Sequence, residues 1–212
     1  MLLVIEGNIG SGKSTLCNQL INQPFPFPHK ILFEQVDEWE KNIHDGKNIL
    51  EYYYSDPSRW SFTFQIYVLL QRINHIIEMT TQFPNTIFIC ERSHLSDLHI
   101  FAKRYYDLGF INAIEWNTYL EAQKCISSRC PKIDGIIYNQ CDVSICDKRI
   151  KERNRNGEQS LSLSYLEELN DRHINWLKEE STPILTINGN IEKDSHERKE
   201  QIQSITDWIL SL

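Results

Sequence analysis

Gly7-Asn8-Ile9-Gly10-Ser11-Gly12-Lys13-Ser14-Thr15 stands directly after the apolar run Leu2-Leu3-Val4-Ile5 and opens a stretch of helical pattern that reaches Ile21. Four residues separate Gly7 from Gly12, which satisfies G-x-x-x-x-G-K-[ST] in the strand, loop and helix setting that a phosphate-binding loop requires. Glycines let the backbone close around a polyphosphate, and the N–H groups at the helix N-terminus point at it. In such a loop Lys13 reaches the β- and γ-phosphates and the Ser14 hydroxyl meets Mg²⁺. The expected ligands are therefore Mg²⁺ and a nucleoside triphosphate.

Working outward, 212 residues suffice for one well-buried α/β core and are short for two; a single domain, 1–212, is expected. With 41% hydrophobic and 24% charged residues the composition is that of a soluble protein, and no apolar run approaches membrane-spanning length. The 22 basic and 29 acidic side chains leave a net charge of −7, which argues against nucleic acid as a partner. Met1 precedes the first strand at once, so no cleaved leader is expected and the predicted location is cytoplasmic. The six cysteines lack a C-x-x-C pair and any histidine at zinc-finger spacing, and read as reduced thiols.

Along the chain, Pro24-Phe25-Pro26-Phe27-Pro28 reads as a loop, Ile31-Leu32-Phe33 as a second strand, and Glu34 as a carboxylate at that strand's carboxyl end, where open α/β sheets bind ligands. A short helix is expected over 47–54 and a long one from Ser58 to about Met79, with Gln65 and Arg72 set among its apolar residues. Thr86–Cys90 is the predicted third strand, followed by Glu91-Arg92-Ser93 and by helices over roughly 94–107 and 112–128. Strands over Ile133–Tyr138 and Ile184–Ile187 flank a basic helical stretch and a helix from about Ser164 to Glu180, and 193–212 closes the chain as a helix. Five strands alternating with helices predict an α/β, P-loop kinase fold: a five-stranded parallel sheet with helices on both faces.

Taken in order, Glu6 to Thr15, Glu34-x-Val36-x-x-Trp39, Tyr54-x-Asp56-Pro57, Phe64-Gln65-x-Tyr67, Glu91-Arg92-Ser93 and Arg149-x-x-x-Arg153-x-Arg155 with Glu158 and Tyr165-Leu166 resemble the deoxyribonucleoside kinases over nearly the whole chain. The resemblance implies an ATP-dependent deoxynucleoside 5′-kinase of nucleotide salvage, working with Mg²⁺ as a homodimer. Two departures stand out. Gln35 replaces the family's usual proline, and Asn188-Gly189-Asn190 replaces a segment that often carries an aspartate near the donor's adenine.

Position by position, the resemblance makes Glu34 the general base that relieves the acceptor 5′-hydroxyl of its proton, a role that an uncharged nucleoside acceptor demands. Arg92, Arg153 and Arg155 offset charge on the transferred group, with Lys13. Residues 149–160 form an arginine-rich lid, in which Arg149 and Arg153 contact ATP. Glu91 joins Ser14 on Mg²⁺. Tyr54 and Glu158 hold the sugar 3′-hydroxyl, Gln65 bonds the base edge, and Trp39, Phe64 and Phe101 form the slot, with Val68 beside it. In this family an arginine and an aspartate at the places of Arg72 and Asp97 accompany deoxycytidine and purine deoxynucleoside kinases, where thymidine kinases hold apolar or small residues. Two alternatives differ in class. A thymidylate-like monophosphate kinase would want arginines where Glu34, Asp37 and Glu38 stand, and a non-catalytic nucleotide-binding subunit has no use for a carboxylate base.

Overall fold

Leu2, Leu3, Val4 and Ile5 are all buried, as a strand hydrophobic on both faces must be when it lies inside a parallel sheet. In the computed structural model, which describes residues 1–41, 43–155, 158 and 161–212 with the side chain of Ile43 left aside, the chain falls into two compact units. The first comprises Met1–Phe33, Phe83–Ser93 and Lys132–Leu212, the second Glu34–Gln82 and His94–Pro131.

The first unit holds five parallel strands: β1 (Leu2–Glu6), β2 (His29–Leu32), β5 (Ile87–Glu91), β6 (Gly135–Gln140) and β7 (Ile184–Asn188). Their order is β2-β5-β1-β6-β7, with β1 at the centre, so the loop that follows β1 emerges at the middle of the sheet edge. Leu3, Ile5, Ile89 and Ile137 pack on Leu16 and Leu20 of α1 (Lys13–Ile21) and on Ile202, Ile205 and Ile209 of α10 (His196–Ser211). Tyr138 points the opposite way and stacks on His173 of α9 (Leu163–Glu179), which covers the other face. Truncating any of these core leucines or isoleucines to alanine costs about 2–5 kcal/mol. Helix α8 (Val143–Arg153) joins α9 through Cys146, Ile150 and Leu166.

The second unit is built on α4 (Pro57–Gln82), whose first residue is the proline that suits a helix start. It also contains α2 (Val36–Lys41), a small ribbon of β3 (Ile43–His44) and β4 (Lys47–Asn48), and α3 (Ile49–Ser55), which Asn48 and Glu51 close with a reciprocal capping box. After His94 come α5 (His94–Ser96), a π-helical segment over Asp97–Ala102, α6 (Lys103–Asp107) and α7 (Ala113–Ser127).

Several boundaries differ from the sequence expectation. The second strand is His29–Leu32 rather than 31–33, because pairing of His29 to Leu32 with Ile87 to Cys90 fixes its register; Phe33 packs against the core outside the ladder. Strands three and four sit one or two residues later than expected, which makes Glu91 the last strand residue. The expected helix over 94–107 is interrupted, since i→i+5 bonding widens a turn without disturbing the apolar pattern. The expected helix at 47 starts at Ile49 because Lys47 and Asn48 pair in the ribbon, whose turn places Asp45 and Gly46 at φ 48° and 77°. Such an Asp-Gly pair with both residues left-handed is a two-residue hairpin signal. Among the described residues no helix is long and apolar enough to cross a membrane.

Candidate active site

Between β1 and α1 the backbone turns tightly. Gly10 has φ 76°, and a Cβ on it would lie 2.5 Å from the Cys146 carbonyl oxygen, so the loop rests against the first turn of α8 at a point that only glycine permits. Lys13 Nζ donates to the carbonyls of Gly7 (3.0 Å) and Asn8 (2.7 Å). Asn8 ties the loop to α9 through a bond from Nδ2 to the Leu166 carbonyl, 2.8 Å, and Asn139 at the end of β6 donates to the Ser11 carbonyl at 2.7 Å. Arg149 of α8 donates to the carbonyls of Gly189 (2.7 Å), Ser11 (3.4 Å) and Asn190 (3.4 Å). Side chains thus grip the loop by its carbonyls, while the first N–H groups of α1 have no intrahelical acceptor by construction. Arg149's grip on Gly189 and Asn190 was not foreseen from sequence, and it gives the departure at 188–190 a structural role in shaping the phosphate loop.

At the neighbouring strand end, Ser14 Oγ donates to Glu91 Oε1 at 2.6 Å. A hydroxyl and a carboxylate in contact at a helix N-terminus suit Mg²⁺, which takes one or two protein oxygens and fills its octahedron with water and phosphate. Arg92, 4% exposed, adopts φ 65°; its N–H donates to the Ile5 carbonyl (3.0 Å) and its Nη1 to that of Gly7 (3.2 Å). Ser93 Oγ donates to buried Glu6 at 2.6 Å. His173 stays neutral: burial, then the charges of Arg92 and Lys13, lower its pKa to about 3. Beyond α8, Glu158 accepts from Arg153 Nη2 (2.5 Å) and lies 3.5 Å from Arg155 Nη1. Of the stretch 149–160, where a lid is expected, the described residues show Arg153 and Arg155 beside one carboxylate, and residues 156, 157, 159 and 160 lie outside the described residues.

In the second unit Arg72 Nε and Nη2 donate to the two carboxylate oxygens of Asp97 at 2.8 and 3.2 Å, and Nη2 also donates to Glu34 Oε1 at 2.9 Å. Arg72 is 9% and Asp97 1% exposed. Burial alone would lower the arginine's pKa, but Asp97 and then Glu34 more than offset it, so the guanidinium is held charged more firmly than usual. Sequence reasoning assigned Glu34 and the Arg72–Asp97 pair to separate tasks, whereas the structure makes them one network and lets Arg72 orient the Glu34 carboxylate. His94, buried nearby, is kept neutral: burial, then Arg72, lower its pKa to about 4.

Phe64 stacks on Tyr53 with centroids 4.4 Å apart and meets Trp39 edge-on at 5.6 Å, with Val68 in the same cluster. Tyr53 and Tyr105 share a hydrogen bond between their hydroxyls, and half-buried Tyr54 leans on Tyr53. Gln65 is 2% exposed, on the same helix as Phe64 and Val68. Phe101, half-buried, lies on the π-helical segment that Asp97 begins.

A phosphate loop on the central strand, a carboxylate closing the adjacent strand onto the loop's serine, and arginines following β6 define a P-loop phosphotransferase. The family model for deoxynucleoside kinases matches residues 3–210, and the chain belongs to that family. It is 37% identical to a probable deoxycytidine kinase of fowlpox virus over 98% of this chain and 88% of that one. It is 35% identical to the mitochondrial deoxyguanosine kinase of Xenopus laevis over 86% of this chain and 75% of the relative. Human deoxycytidine kinase is 34% identical over 91% of this chain and 85% of its own length. The enzyme is an ATP-dependent kinase of deoxynucleosides.

Proposed function

We propose that this kinase transfers the γ-phosphate of ATP to the 5′-hydroxyl of deoxycytidine or a purine deoxynucleoside in preference to thymidine. The observation that carries the reading is the buried network of Arg72 with Asp97 and Glu34. A charged pair fixed in this way supplies donors and acceptors to a base edge and is costly to leave unmatched, which gives stronger rejection of the wrong base than an apolar pocket achieves. The names of the fowlpox, frog and human relatives, deoxycytidine and deoxyguanosine kinases, agree with that preference.

Within this reading Glu34 takes the proton of the attacking hydroxyl, and Gln65 bonds the base, a role suited to an amide in a buried stretch of helix. Trp39, Phe64, Val68 and Phe101 bound the base, and Tyr54 and Glu158 hold the sugar. Gly7 to Thr15 and Arg149 bind the donor, while Lys13, Arg92, Arg153 and Arg155 offset charge on the transferred group. Ser14 and Glu91 would hold Mg²⁺, which would supply charge neutralisation to the polyphosphate. A homodimer follows from the family resemblance.

The test is phosphate transfer from Mg-ATP to each natural deoxynucleoside and to deoxythymidylate, with Glu34→Gln alongside. The expected result is transfer to deoxycytidine or a purine deoxynucleoside, lost by about 10²–10⁴-fold in the variant while ATP binding persists. Thymidine as the best acceptor overturns the assigned preference, and full activity in Glu34→Gln overturns the assigned base.

A further inference from the structure

Arg72 lies on α4 and Asp97 on the π-helical segment, and a third element sends one side chain between these two. Tyr119 of α7 is wholly buried and clusters with Leu69 and Ile73 of α4 and Ala102 of the π-helical segment, with Leu98 packed alongside. Leu69 and Ile73 flank Arg72 on one helix face, three residues before it and one after, and Leu98 and Ala102 follow Asp97 within its π-helical turn. The ring is stacked on Trp116 with centroids 5.7 Å apart. Its hydroxyl oxygen has no hydrogen-bond partner among the described residues.

A phenol shut away from water without a partner is a costly choice where phenylalanine would pack equally well. Burial raises the Tyr119 pKa well above its usual value, Asp97 raises it further and Arg72 opposes, so the oxygen keeps its proton and remains a donor within electrostatic reach of the Asp97 carboxylate. Both Asp97 oxygens accept from the Arg72 fork, so the carboxylate that the phenol faces electrostatically is the one that orients the guanidinium.

We propose that Tyr119 is a positioning residue for base selection: its ring sets the spacing of α4 from the π-helical segment, and its hydroxyl donates to Asp97 when an acceptor base engages Arg72. The inference rests on the reading that the Arg72–Asp97 pair meets the base. The Tyr119 hydroxyl then fixes the angle at which Asp97 holds the guanidinium, and through it which base edge is matched.

The experiment measures kcat and KM for the preferred deoxynucleoside and for thymidine in the wild type, Tyr119→Phe and Asp97→Asn, together with their melting temperatures. Tyr119→Phe is expected to raise KM for the preferred acceptor about tenfold with kcat nearly unchanged and to narrow the preference over thymidine by a similar factor, while the melting temperature of the free enzyme holds or rises because a partnerless hydroxyl is removed. An unchanged KM and preference in Tyr119→Phe, beside an altered preference in Asp97→Asn, means that Tyr119 only fills space and overturns the proposal. If Asp97→Asn also leaves the preference untouched, the reading of the pair itself is what fails.

Discussion

The phosphate loop is made of backbone and the Arg72 network is made of side chains. In the first unit the shape comes from Gly7 and Gly10, whose Cβ atoms would lie 2.7 Å from the Asn139 carbonyl and 2.5 Å from that of Cys146, and from Lys13, Asn139 and Arg149 gripping carbonyl oxygens. In the second unit three charged groups, stacked aromatic rings and a pair of tyrosine hydroxyls fix one another. A polyphosphate presents much the same oxygens in every nucleotide, and main-chain amides suit it; choosing among bases needs side chains that differ. The two constructions should therefore fail differently when altered.

The largest effect is expected from Asp97→Ala. It takes from Arg72 both of its bonds to Asp97, and breaking a buried pair costs about 3–5 kcal/mol. Chemical denaturation should record that loss, and acceptor KM should rise with KM for ATP unchanged. Gly10→Val is the converse test. A branched side chain at φ 76° against the Cys146 carbonyl should displace the loop and lower kcat/KM for ATP by roughly 10²-fold, with acceptor affinity kept in equilibrium binding. If either variant damages both substrates equally, the division drawn above is wrong.

A smaller effect concerns pH, and each unit holds a histidine pushed far below its ordinary pKa. His173 and His94 have folded pKa values lowered to about 3 and about 4, chiefly by burial, from an unfolded value of 6.5. Their contributions are complete above the unfolded value and decline as pH falls, because the unfolded chain takes up protons that the folded rings refuse. Each ring should cost about 1.4 kcal/mol per pH unit below 6.5, down to its folded value. Denaturant midpoints between pH 7 and pH 5 should show the slope, and His173→Gln should flatten it. The smallest change is expected from Arg149→Ala, which removes partly buried hydrogen bonds to Gly189 and Ser11 and should raise KM for ATP by about fivefold without altering acceptor preference.

The same contrast explains what could be read in advance. A backbone shape that needs glycine at fixed steps leaves a contiguous mark, so the loop, its lysine and its serine were legible from residues 7 to 15 alone, as was the parallel sheet from five apolar runs. The proposed acceptor side is spread over Glu34, Tyr54, Gln65, Arg72, Asp97 and Phe101, and only the family resemblance drew those positions together. No spacing rule could link Glu34 to Arg72, because a contact across 38 positions depends on how α4 packs and not on local pattern. The π-helical turn was hidden for a related reason, since it keeps the apolar residues of an ordinary helix. The Asp45-Gly46 turn joins strands of two residues each, too short to show the alternation that marks a hairpin in sequence.

Arg92 has a consequence for how such chains drift over evolutionary time. It sits at φ 65°, in a region that costs a side-chain-bearing residue about 1–2 kcal/mol and that glycine or asparagine enters cheaply. Neither of those residues brings a positive charge to the end of β5. If Arg92 offsets charge on the transferred group as proposed, selection for transfer should hold the arginine against the preference of its own backbone, and once transfer is no longer needed stability alone should favour replacement. A lineage that keeps this fold but abandons the reaction should therefore lose the arginine early, which makes position 92 a marker of idle copies readable from their sequences.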